Sequence, residues 1–224
     1  MCLLAVSSHG RALCNVRNDL RTSAVIQVAL RADGTLISLL PHRVQTTQFC
    51  CIAVEQTACA LAYVQWNLIP TPEERDRVCI TAVRYHGTSG MRSVLNAQRG
   101  NELSSWYPLL SAAVQHSALC HHGHVLSLLE VEHIATASLQ AAVASYPAAL
   151  VHIPEAMQTA DMYLRAVSSC GRMLHLVPSM HRSEPLCMAA IKEDPHALQY
   201  APSEIRKRLA VAAVSLCGQA LHHV

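Results

Sequence analysis

At 224 residues the chain is long enough for one or two domains around a continuous hydrophobic core. Apolar residues make up 51% but aromatics only 4%, so that core must be Ala, Leu, Val and Ile, side chains suited to close helix packing. A net charge of +2 with 14% charged residues argues against a nucleic-acid partner, and no apolar run approaches the roughly 18 residues of a membrane span.

The chain opens on Met1-Cys2-Leu3-Leu4-Ala5-Val6, apolar but without a basic n-region and interrupted by Gly10-Arg11. No signal peptide is expected from it, and a cytoplasmic location is the default. The same segment introduces an internal repeat. Ala5-Val6-Ser7-Ser8-His9-Gly10-Arg11-Ala12-Leu13 returns as Ala166-Val167-Ser168-Ser169-Cys170-Gly171-Arg172-Met173-Leu174. With the first Ala as anchor, copies fall at Ala5, Ala29, Ala53, Ala82, Ala113, Ala142, Ala166, Ala190 and Ala213, separated by 24, 24, 29, 31, 29, 24, 24 and 23 residues. Each anchor is followed by a branched aliphatic, from Val6 to Val214. Offset +5 carries Gly, Ala or Pro, and +8 is Leu or Ile in most copies. Self-similarity at this period is the signature of stacked repeat architectures.

Each unit is predicted to begin with a three-turn helix. Thr22, Thr46, Thr159 and Ser183, seven residues before their anchors, are suited to cap its N-terminus. The Gly or Pro at +5 reads as its stop, Gly by admitting the left-handed conformation that ends helices. A second, shorter helix is expected over about +6 to +11. Pro41, Pro154, Pro178 and Pro202 at +12 then end it or open a short 3₁₀ turn. Offset −3 accepts Cys2, Cys50, Cys79 and Cys187 alongside Ile26 and Leu139, so these cysteines read as reduced core residues rather than as nucleophiles or ligands.

Neither helix of a unit can bury its face alone. The expected fold is therefore all-α, a right-handed or curved α-solenoid of nine short helix–turn–helix repeats forming a single array over residues 1–224. Repeats are regular over 1–65 and 136–224 and irregular over 66–135. Within that centre Thr71-Pro72-Glu73-Glu74 reads as a strong helix start. The terminal copies lack polar caps, so the array is expected either to be a piece of a longer one or to pair its ends with another surface.

The stretch Ala190 to Val224, with Ala190-Ile191, Ala197-Leu198, Tyr200-Ala201 and Arg206, then Ala213-Val214, Gly218 and Ala220-Leu221, resembles a tandem bihelical repeat of about 24 residues. Its motif runs roughly A-V-x-x-x-G-x-A-L-x-Y-A-x-x-x-x-R. It is a domain of unknown function found in bacterial proteins, including effectors, and in protist proteins. Arg21 and Arg182 fall at the offset of Arg206. The resemblance implies an all-α tandem array, carries no catalytic residues, and adds the host cytosol as a location if the chain belongs to a secreted effector.

Candidate chemistry is sparse. His116, Cys120, His121, His122 and His124 have metal-ligand spacing, and His116, Cys120, His122 and His124 are the candidate ligands of a zinc site. The alternative function is thus a Cys/His-dependent or zinc-dependent enzyme centred on Cys120–His124. No phosphate-binding glycine loop is present, and no cofactor is expected. Arg206-Lys207-Arg208, the one dense basic run, reads as a solvated helix start. The favoured reading is a non-catalytic scaffold for protein–protein interaction, with a protein partner, no nucleic acid and no membrane span. Offsets +2, +3 and +6, including Arg31, Glu55, Arg172, Lys192 and His196, are expected to face outward. Trp66, Trp106 and Tyr107 in the irregular centre are candidate partner-binding residues.

Overall fold

The computed structural model describes residues 2–99 and 110–216. It is all-α, with no strand among the described residues. The chain divides into two compact units, Met1–Ala118 and Leu119–Val224. The first contains α1 (Cys2–Ser8), α2 (Ser23–Ala32), α3 (Thr47–Gln56) and α4 (Pro72–Arg99). The division falls within α5 (Ala112–His121), and the second unit continues with α6 (Thr136–Ser145), α7 (Ala160–Ser169), α8 (Glu184–Glu193) and α9 (Ser203–Leu216). Within each unit every α-helix packs on the next one in the chain. The segments between them form a second layer, in which each six-residue 3₁₀ helix packs on its counterpart in the following copy.

The predicted first helix is present almost residue for residue: α2 runs from offset −6 to +3. The hydroxyls of Thr22, Thr46 and Thr159 accept hydrogen bonds from the amides of Val25, Phe49 and Met162. Ser183 stands at the same place without a side-chain cap. The second helix is 3₁₀ throughout, from +5 to +10, as in Gly34–Leu39 and Gly171–Leu176. Pro41, Pro154 and Pro178 open further three-residue 3₁₀ turns, His42–Val44, Glu155–Met157 and Ser179–His181. Pro202 leads directly into α9.

The helices do not end as expected. Their C-caps are extended residues such as Asp33 (φ −152°) and Asp194 (φ −142°), whose amides donate to the anchor carbonyls of Ala29 and Ala190. Gly87 is the one described glycine with positive φ, and there the glycine does act as a stop: one helix ends and a second begins across a kink within Pro72–Arg99. The other glycines at +5 serve packing instead. A Cβ on Gly34, Gly123 or Gly171 would fall 2.1–2.2 Å from the anchor carbonyl oxygen of the next copy, Ala53, Ala142 or Ala190. Gly10 is less confined, its nearest neighbours lying 3.1 Å away.

The fifth copy is read in the wrong frame if Ala113 is its anchor. Ala113 is exposed, while Val114, Ala118 and Leu119 are buried, the pattern that Val25, Ala29 and Leu30 show in α2. Ser111 caps α5 through the Val114 amide, and Gly123 and Leu126 occupy +5 and +8 relative to Ala118. Ala118 is therefore the structural anchor. Of the centre 66–135, α4 departs from the common pattern, whereas 112–135 follows it.

Offset +16 carries a long side chain that reaches back to the carbonyl at +11. Arg21 Nε donates to Val16, Gln45 Nε2 to Leu40, Gln158 Nε2 to Ile153, Arg182 Nε to Val177 and Arg206 Nη2 to Ala201. Two of these also bind the following copy. Arg182 Nη1 donates to the Tyr200 carbonyl, and Gln45 Oε1 accepts from the Gln65 amide. At the place of Gln65 the next copy after Gln158 has Pro178, which has no N–H, and Gln158 Oε1 is buried without a partner.

Two substitutions test these contacts. Gly171→Ala drives a methyl group into backbone and is expected to cost roughly 1–3 kcal/mol in urea unfolding, while Gly10→Ala costs less than about 1 kcal/mol. Gln158→Arg copies the Arg182 solution opposite a proline. It should stabilise by about 1 kcal/mol, raising Tm by roughly 2–4 °C in thermal melts.

Candidate interaction site

The His/Cys cluster lies where α5 gives way to the 3₁₀ helix Gly123–Leu128. Its rings meet by their edges: His121 with His122 at 6.5 Å between centroids, His122 with His124 at 5.8 Å, and His124 with Tyr146 at 6.0 Å. His116 and Cys120 are exposed on α5. Among the described residues no three His, Cys, Asp or Glu side chains converge in a way that could hold a metal ion. Tyr146 joins this ladder from the C-cap of α6, a contact the local spacing of the His run could not reveal. Nearby, Ser145 ties two copies together by accepting from the Gly123 amide and donating to the Leu119 carbonyl.

The basic run is likewise committed. Arg206 binds the carbonyls of Gln199 and Ala201, and Arg208 pairs with Glu184 at 2.9 Å. Most of the offsets expected to face outward do so. Arg31, Glu55, Arg172 and Lys192 are exposed, whereas His196 is half-buried. No helix among the described residues is long and apolar enough to cross a membrane.

Of the three candidate aromatics, Trp106 and Tyr107 lie outside the described residues. Trp66 is only 5% exposed, so it is not the exposed anchor that the sequence suggested. The 3₁₀ turn Trp66–Leu68 carries its indole into the interior beside Leu61 and Val64. Trp66 nevertheless borders a groove of the first unit with a volume of about 700 Å³. One wall is the run 58–66, where the 3₁₀ helix Ala58–Tyr63 buries Ala58, Ala60 and Leu61 and turns Cys59 and Tyr63 outward. The other is the second half of α4. At Gly87 (φ 53°, ψ −122°) the backbone adopts a conformation that side chains with a Cβ rarely reach, and the helix folds back on itself. Gly90 then lies so close to Ala82 that a Cβ would fall 2.1 Å from its carbonyl oxygen. Met91 and Val94 are buried by this turn, and Ser93, Asn96 and Ala97, spaced three and four apart, face the groove.

The described residues that line the groove carry no carboxylate, ammonium, guanidinium or imidazole group. None of the side chains of Gln65, Trp66, Ser93 and Asn96 is engaged in a hydrogen bond among the described residues. The site therefore offers uncommitted neutral donors and acceptors beside apolar wall.

The cysteines divide by burial. None of the nine described forms a disulfide, and Cys50, Cys79 and Cys187 are buried core residues as expected, but Cys14, Cys59 and Cys120 are exposed. Burial, reinforced by the neighbouring Cys51 thiol, pushes Cys50 up to about 12, and burial followed by the Asp76 carboxylate does the same for Cys79. Comparison with family models, with curated proteins and with solved structures returned no match.

The thiols yield a pH prediction. Cys50 and Cys79 stay protonated in the folded chain while the unfolded chain releases their protons near 9. Above that pH the unfolded state binds fewer protons. Stability is complete below about 9 and falls between about 9 and 12, by up to roughly 1.4 kcal/mol per pH unit for each thiol. Urea unfolding of the wild type against Cys50→Ala/Cys79→Ala checks this: the double variant should lose that alkaline slope.

Proposed function

We propose that this chain is a non-catalytic scaffold of tandem helical repeats, an α-solenoid of nine copies related to the bihelical repeat it resembles, that binds a protein partner. One observation carries the reading. The polar side chains that recur from copy to copy are spent on holding copies together, as with the Arg or Gln at +16, while those that differ from copy to copy, such as Arg31, Glu55 and Lys192, face outward. A repeat scaffold recognises its partner with such a variable set. Enzymatic and zinc-dependent readings centred on Cys120–His124 find no comparable support, since the imidazoles there meet edge to edge.

Two measurements test the proposal together. Metal analysis of purified protein should find zinc well below one equivalent, and His122→Ala/His124→Ala should leave the far-UV spectrum unchanged. A photo-crosslinking residue placed in turn at Arg31, Arg172 and Lys192 should capture one and the same identified polypeptide in cells, with buried Ala142 as the negative control. Stoichiometric zinc lost in the double variant, or no polypeptide specific to the outward positions, would overturn it.

A further inference from the structure

We propose that the groove between residues 58–66 and the second half of α4 binds an uncharged, proline-rich segment of the partner in the polyproline II conformation. This deepens the interaction reading and rests on it. In a chain where 14% of residues are charged, the eleven described residues that line the groove include none of Asp, Glu, Lys, Arg or His. A charged ligand entering it would lose water without gaining a counter-charge, so complementarity selects a neutral occupant.

Hydrogen bonding narrows the choice further. The indole of Trp66 can only donate, while the amides of Gln65 and Asn96 and the hydroxyl of Ser93 donate and accept alike. A partner that brings unpaired acceptors satisfies the indole and the amide N–H groups together. A helical peptide satisfies its own carbonyls, and a β-strand needs a sheet edge, of which there is none among the described residues. Polyproline II leaves every carbonyl free and, where proline recurs, brings few N–H groups to satisfy. The rings add to this. Tyr63, 44% exposed, offers an open face on which a proline ring can pack. Trp66, at 5%, offers little of its face, which suits acceptance of its N–H by a carbonyl and disfavours the broad ring stacking that a sugar would need. A volume of about 700 Å³ lies within the usual range of ligand sites.

The test uses the full chain carrying Trp106→Phe, which leaves Trp66 as the single tryptophan. Its indole ¹⁵N–¹H resonance is followed during titration with an acetylated, amidated peptide of roughly ten residues, proline with interspersed alanine, about 30 Å long when extended. A saturable shift is expected, weakened roughly fivefold by Asn96→Ala and by Tyr63→Ala. Melting curves of both variants should match the parent, since neither side chain is buried. A glycine–serine peptide of equal length and a cello-oligosaccharide should give no saturable shift. No shift with the proline peptide, a shift unchanged in both variants, or an equal shift with either control overturns the proposal. If the crosslinks at Arg31, Arg172 and Lys192 still capture their polypeptide, the proline assignment fails alone and the scaffold reading stands.

Discussion

The carbonyl oxygen of the anchor alanine is the point on which the described architecture turns. It accepts the amide of its own helix's C-cap, the last α-helical hydrogen bond before the chain turns extended. From outside it is covered by the bare Cα of the glycine at +5 in the preceding copy, at Gly34, Gly123 and Gly171. A buried carbonyl needs a donor and tolerates no methyl group at this range. The pair Ala and Gly therefore sets how closely successive helices approach at those three steps. Ala58, Pro147 and Pro195 stand at +5 with a Cβ of their own, so those steps cannot reproduce the glycine approach.

Around that contact the chain uses its polar groups economically. A 3₁₀ segment leaves carbonyls without intrahelical partners. Long side chains at +16 meet this need, and where the position is Ile69 or Ile134 the residue itself is buried instead. The variable charges, such as Arg31, Glu55 and Lys192, stay outside, and the described lining of the groove beside Trp66 is neutral. Its second wall lies where it does because α4 is kinked at Gly87, where the repeat is interrupted.

Much of this fold was legible in the sequence, because the anchor, its aliphatic neighbour and the hydroxyl caps are each dictated by helix geometry. Two readings failed for identifiable reasons. Glycine at +5 suggested a left-handed stop everywhere, not only at Gly87, since a sequence pattern cannot tell backbone freedom from the need to omit a side chain. The fifth copy contains two Ala-aliphatic pairs, Ala113-Val114 and Ala118-Leu119, and only the second is followed by glycine and leucine at +5 and +8. That distinction was present in the sequence and favoured Ala118. The site was much less legible. Trp66 borders the proposed groove, yet its burial and the facing residues Ser93 and Asn96 depend on a kink that places a later half-helix against an earlier turn. The conspicuous His run is conspicuous only along the chain, and in space it is a ladder of ring edges.

The central claim is that copies are interchangeable units joined through anchor carbonyls. Deleting residues 143–166 tests it most directly, because it joins Ala142 to Val167 and removes one period within the second unit while keeping both flanking glycine contacts. The account predicts a helical protein that still unfolds cooperatively in urea, whereas deletion of 143–160, which breaks the register, abolishes cooperative unfolding. Equal loss of structure in both deletions would contradict it.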